Sequence, residues 1–176
     1  KRSSGFAPGK LILSGEHSVV YGHYAIAMAV DRGVWVHLEE TEGTSYVETS
    51  NSLISEAIGS LLPPIGIKVS IETGLPLGRG MGSSAALSIA LIRALAKWEG
   101  RSSQFAEEFE KGLRLETFFH GNPSGLDHTV SSLGKTLLYQ KATPRPECTE
   151  LPDCDLSLVI IDSGTAGNTA QMVQNV

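Results

Sequence analysis

Residues 67–98 constrain this chain more than any other stretch. Ile67, Val69 and Ile71 alternate with Lys68, Ser70 and Glu72, the period of a strand with one wet face. That strand runs into Gly74-Leu75-Pro76-Leu77-Gly78-Arg79-Gly80-Met81-Gly82, which is too rich in glycine for regular structure. Ser83-Ser84-Ala85-Ala86 then opens an apolar helix reaching about Trp98. Loop glycines let backbone N–H groups close on an anion, and a helix N-terminus adds partial positive charge. The stretch therefore points to bound phosphate. It lacks the Lys-Ser/Thr of a Walker loop, and Ser83 stands where a dinucleotide fold has its third glycine. A tight turn with Ser83 or Ser84 as helix cap accounts for the same residues equally well.

Composition bounds what such a loop can serve. With 176 residues, 41% hydrophobic and 19% charged, the chain has the profile of one globular domain. A domain of that size buries about 70% of its unfolded surface and needs no disulfide or structural metal. A net charge of −5 and a pI near 5.5 exclude a surface built to neutralise a phosphate backbone, so nucleic acid is not an expected partner. Cys148 and Cys154 match neither a zinc knuckle nor a redox pair, and free cytosolic thiols are expected. No opening run has a signal-peptide core, and the most apolar stretch, residues 85–96, is short and carries Arg93. A cytoplasmic protein, not a membrane one, is expected.

No internal repeat or linker divides the sequence. Residues 10–13, 25–30 and 33–38 predict strands, and Leu53, Ile54, Ala57, Ile58 and Leu61 predict a helix over 51–62 that Pro63-Pro64 ends. A helix after Ser102-Ser103, buried along Phe105, Phe109, Leu113 and 115–119, is expected to break at Gly112 and stop at His120-Gly121-Asn122-Pro123. Residues 124–133 predict a short helix, 136–139 and 156–161 strands, and the segment from about Asn168 the start of a helix. This is an α+β pattern, with helices packed on a mostly antiparallel sheet.

Two further constellations bear on chemistry. The turn at residues 120–125 brings the chain back so that Asp127 can share a cleft with Glu116. In a phosphate site one carboxylate can help hold Mg²⁺ while the other takes a proton from an attacking hydroxyl. A solvated helix position for Glu116 and an early-helix acid for Asp127 are equally good readings of each alone. Lys10 opens an apolar strand that Gly15-Glu16-His17 breaks; near Asp127 it would keep the carboxylate ionised and favour a developing alkoxide. A strand-edge lysine and a locally satisfied His17 are the plainer alternatives.

Taken together, three segments resemble the signature set of the GHMP kinases, small-molecule kinases named for galactose, homoserine, mevalonate and phosphomevalonate. They are Pro8-Gly9-Lys10-Leu11-Ile12-Leu13-Ser14-Gly15-Glu16-His17, residues 78–86, and Glu116 with His120-Gly121-Asn122-Pro123-Ser124-Gly125-Leu126-Asp127. Asp162-Ser163-Gly164 and Thr169 resemble a further stretch of the family, and the order is the family's own. The chain departs from the family pattern at Arg79, usually a small residue, and at His128, where the mevalonate-phosphorylating branch often has Asn. It also lacks a basic residue after Gly164.

The resemblance implies the ribosomal protein S5 domain 2-like fold of the family's N-terminal domain. It implies ATP and Mg²⁺ as cofactors and phosphorylation of a small-molecule hydroxyl, with mevalonate as the expected acceptor and 5-phosphomevalonate, an isoprenoid precursor, as product. By the same resemblance Asp127 is the catalytic base or the acid that positions the hydroxyl, and Lys10 the neighbour that lowers the hydroxyl pKa and steadies the transferring phosphoryl group. Gly78, Arg79, Gly80, Met81, Gly82, Ser83 and Ser84 cradle the nucleotide. Ser84 and Glu116 bind the metal, and Glu16, His17 and Thr169 lie near the substrate. Residues 1–155 are expected to form the ATP-binding domain and 156–176 to begin a truncated C-terminal region, leaving an apolar face through which the chain self-associates. A phosphomevalonate, homoserine or sugar acceptor, or a nucleotide-binding or interaction domain without turnover, are the alternatives.

Overall fold

The computed structural model of the chain describes residues 1–76, 79–119, 124–143, 145–152 and 157–161. Two long strands, β1 (Arg2–Ser14) and β2 (Tyr24–Thr44), form its axis, joined through a 3-10 turn at Ser18–Tyr21. β3 (Tyr46–Val47), α1 (Ser52–Gly59) and β4 (Ile65–Thr73) follow. The helices α2 (Ser83–Trp98), α3 (Phe105–Phe119) and α4 (Leu126–Leu133) precede β5 (Thr136–Gln140) and β6 (Glu147–Glu150). β2 pairs along one edge with β1 and shares the other between β5, at residues 24–28, and β4, at residues 34–44. All pairings are antiparallel except β3 with β4. The class is α+β.

The strands read from residues 25–30 and 33–38 are one strand, β2. Its buried residues change parity midway: Ala25 and Ala27 face the core in the first half, Val34, Val36 and Leu38 in the second. The slip is matched across the ladder, where Pro8 pairs with Gly33 but Lys10 with Ala29. Such an irregularity re-aims side chains. In β1 the alternation Gly5, Ala7, Gly9 is broken by Lys10, which is also buried.

Ten residues of α2 are buried, on nearly every side of the helix, as an all-round apolar sequence requires. α2 and α4 lie against the sheet, and α3 packs on both. One apolar cluster joins α1 and α2 to β4 and the later half of β2; a second joins α4 to Ala25, Ala27, Leu137 and Tyr139.

Four expectations change. Gly82, in the left-handed region at φ 69°, is the residue at the N-cap of α2, and neither Ser83 nor Ser84 makes a capping side-chain bond. α3 runs through Gly112 without a break. Its buried stripe is Glu108, Gly112, Leu115 and Glu116, while Phe105, Phe109 and Leu113 are only partly buried and Thr117 and Phe118 are exposed. Residues 157–161 form no strand, with Val159 and Ile161 exposed; the start of that stretch and the helix expected from Asn168 lie outside the described residues. No helix among the described residues is long and apolar enough to cross a membrane.

Candidate active site

The irregularity after Pro8 turns Lys10 toward the N-terminus of α2. Lys10 is 4% exposed, a rare situation for lysine unless paired. The backbone N–H of Lys10 donates to Met81 O at 3.0 Å, and Nζ donates to Gly80 O at 2.9 Å. Nζ also stands 3.3 Å from Asp127 Oδ1. One lysine thus ties β1 to the glycine loop and to α4. The approach depends on glycines: a Cβ on Gly9 would lie 2.9 Å from Met81 O, and one on Gly82 2.9 Å from Lys10 Cγ and 3.6 Å from Asp127 Oδ2.

Asp127 stands in the first turn of α4. Burial is the largest influence on its carboxyl and raises the pKa; Lys10 opposes it, the charge of Glu116 reinforces it, and the net shift is upward. A carboxylate with a raised pKa beside a fixed ammonium can accept a hydroxyl proton while the cation stabilises the oxygen left behind. The turn before α4 is pinned by Tyr139, whose hydroxyl donates to Ser124 O at 2.7 Å, and by Thr129, whose hydroxyl donates to Gly125 O at 2.8 Å. Neither residue stood out in the sequence, because a strand tyrosine and a helix threonine carry no motif.

Glu116 is buried, not solvated, and only 7% exposed. Its Oε2 lies 2.9 Å from Nδ1 of His128, which is wholly buried; the distance is that of an ion pair, without the alignment of a hydrogen bond. Ser83 and Ser84 are half-buried in the first turn of α2, where unpaired helix N–H groups accumulate. Arg79 is half-buried beside them, Gly80 is exposed, and Met81 joins the core. His17 is half-buried with Nδ1 sealed and without a hydrogen-bond partner among the described residues; Glu16 is exposed. Gly78, Thr169 and Cys154 lie outside the described residues, and Cys148 is an exposed free thiol on β6.

Among the described residues no three His, Cys, Asp or Glu side chains converge as a ready metal site. The donor set still fits Mg²⁺. Ser84 offers a hydroxyl and Glu116 a buried carboxylate, both hard oxygen donors, and Mg²⁺ keeps most of its shell as water and nucleotide phosphate.

A profile described as the GHMP kinases N terminal domain matches residues 45–135, more than half of the chain. The chain is a GHMP kinase-family member. Within the family it is 34% identical to mevalonate kinase of Pyrococcus furiosus, over 97% of this chain and 60% of that protein. It is 37% identical to mevalonate kinase of Methanothermobacter thermautotrophicus, over 99% of this chain and 61% of that one. Among solved structures, mevalonate kinase from methicillin-resistant Staphylococcus aureus superposes with a TM-score of 0.63 at 32% identity, covering 84% of this GHMP kinase chain and 55% of its own. The chain therefore spans about three-fifths of the length of the curated relatives it matches.

Proposed function

We propose that this chain carries the ATP-binding domain of a mevalonate kinase, transferring the γ-phosphoryl group of ATP to the 5-hydroxyl of mevalonate. The observation that carries the reading is the Lys10–Asp127 pair, a buried lysine 3.3 Å from a half-buried carboxylate beside the glycine loop that leads into α2. The shared identity with proteins named mevalonate kinase supports the choice of acceptor.

The backbone of residues 78–83, with Arg79 and Met81 in its span, cradles the nucleotide phosphates, and the N–H groups of α2 supply the positive end of a helix dipole. Asp127 accepts the proton of the acceptor hydroxyl. The hydroxyl oxygen bonds to the γ-phosphorus as the bond to the β,γ-bridging oxygen breaks, releasing ADP. Lys10 offsets charge on the attacking oxygen and the transferring group. Ser84 and Glu116 hold Mg²⁺, which when bound neutralises phosphate charge. Glu16, His17 and Thr169 are the residues assigned to the acceptor. Residues 1–155 form the nucleotide domain, 156–176 lead into a C-terminal region, and the protein works in the cytoplasm, where ATP is available.

The test is to incubate the protein, at its full natural length, with Mg²⁺-ATP and a mixture of mevalonate, phosphomevalonate, homoserine and galactose, and to read products by mass spectrometry. Phosphorylated mevalonate alone is expected. Another phosphorylated acceptor would reassign the substrate, and no phosphorylated product would overturn the kinase reading.

A further inference from the structure

His128 is the one wholly buried histidine of the described residues, and the residues assigned to phosphoryl transfer do not account for it. Its ring sits where α3 has no side chain: a Cβ on Gly112 would lie 2.5 Å from His128 Cδ2. Glycine inside a helix costs about 0.5–1 kcal/mol relative to alanine, so a glycine that makes room for one imidazole points to a ring that matters. The ring places Nδ1 2.9 Å from Glu116 Oε2, an oxygen sealed from solvent; neither ring nitrogen makes an aligned hydrogen bond among the described residues, and Oε2 is the carboxylate oxygen that Nδ1 approaches.

We propose that His128 is a positioning residue for the metal site: Nδ1 engages Oε2 of Glu116, holds the carboxylate in one orientation, and leaves Oε1 as the oxygen offered to Mg²⁺. The inference rests on the assignment of Glu116 as a metal ligand. Groups behind a ligand that fix its orientation commonly govern metal affinity tenfold or more when removed. The charge of Glu116 felt at Asp127 shows the carboxylate close enough to the proposed base for its orientation to bear on the site.

The chemistry of the side chains supplies the test. Asn carries Nδ2 two bonds from Cβ, as His carries Nδ1; Gln carries Nε2 one bond further, as His carries Nε2. In the full-length protein, Mn²⁺ affinity in the presence of a non-hydrolysable ATP analogue is measured by electron paramagnetic resonance, alongside metal-free nucleotide affinity by calorimetry. His128→Leu and His128→Gln are expected to weaken Mn²⁺ about tenfold, His128→Asn to stay within about threefold of wild type, and metal-free nucleotide affinity to hold throughout. If Glu116→Gln weakens Mn²⁺ while His128→Leu does not, the role given to His128 is wrong. Should Glu116→Gln leave Mn²⁺ binding unchanged, the ligand assignment itself falls. Where His128→Leu does not fold, the comparison of Asn with Gln decides: equal Mn²⁺ affinity in the two would overturn the proposal.

Discussion

At the scale of single residues the site depends on how closely a lysine stem can pass a backbone. Gly80 and Gly82 both hold left-handed conformations, at φ 73° and 69°, so alanine at either carries the strain of that region. Only at Gly82 would the new Cβ also press on Lys10, for at Gly80 it meets open space. Gly82→Ala should therefore cost about 1–3 kcal/mol and weaken ATP binding, while Gly80→Ala costs about 1 kcal/mol, as urea unfolding and calorimetry would measure. Equal losses in the two variants would mean that the stem of Lys10 does not need the space. Asp127, Lys10 and Glu116 were legible as candidates in the sequence because carboxylates and a lysine stood beside glycine breaks. The burial of Lys10 was not legible, since it accompanies a register slip between β1 and β2 that no local pattern announces, and that of Glu116 comes from packing across helices that a reading along α3 does not contain.

At the scale of elements, α3 shows most clearly where sequence pattern and packing part. Its apolar spacing favours Phe105, Phe109 and Leu113 as the inner face, yet the buried stripe carries Glu108 and Glu116. Arg93 of α2 explains the first: Nε donates to Glu108 Oε1 and one terminal nitrogen to Oε2, at 2.8 and 2.9 Å, while the guanidinium also reaches Phe6 O and Ser132 O. Ser103 and Ser132 donate to the same carboxylate. β1, α2, α3 and the end of α4 are thus tied at one point. Burial pushes the Glu108 carboxyl upward, but the hydrogen bonds from Arg93, Ser103 and Ser132 outweigh it and hold the pKa below its ordinary value. A carboxyl lowered on folding contributes stability above its unfolded pKa of about 4.3 and loses it as pH falls through the folded value. Glu108→Gln should therefore cost about 3 kcal/mol at pH 7, with the gap to wild type narrowing in urea melts below about pH 4. Gly112 supplies a prediction of opposite sign to helix propensity. Alanine there should gain about 1 kcal/mol by propensity alone, yet its Cβ would meet His128 at 2.5 Å, so Gly112→Ala is expected to lower the melting temperature. A rise would show that the ring yields freely. The expected break at Gly112 failed for the same reason: the glycine serves a neighbour across the interface, and a sequence read along one helix does not contain that neighbour.

At the scale of the whole molecule, the two apolar clusters divide the fold, and Lys10 joins them. It leaves β1 beside α2 of the first cluster and meets Asp127 of α4, whose Leu126 and Val130 belong to the second. The strand order that permits this was largely hidden in the sequence, because the 21-residue β2 read as two strands and β3 and β6 left no signal. The class and the strand, loop and helix of residues 67–98 were visible throughout, since there local periodicity and tertiary placement agree. The central claim is that the Lys10–Asp127 pair performs chemistry beyond holding the fold. It is tested most directly by measuring kcat and nucleotide affinity for Asp127→Asn in the full-length protein with Mg²⁺-ATP and mevalonate. Loss of most of kcat, about a hundredfold or more, with ATP affinity within about threefold of wild type, is the result the account predicts. Turnover that survives the substitution would contradict it.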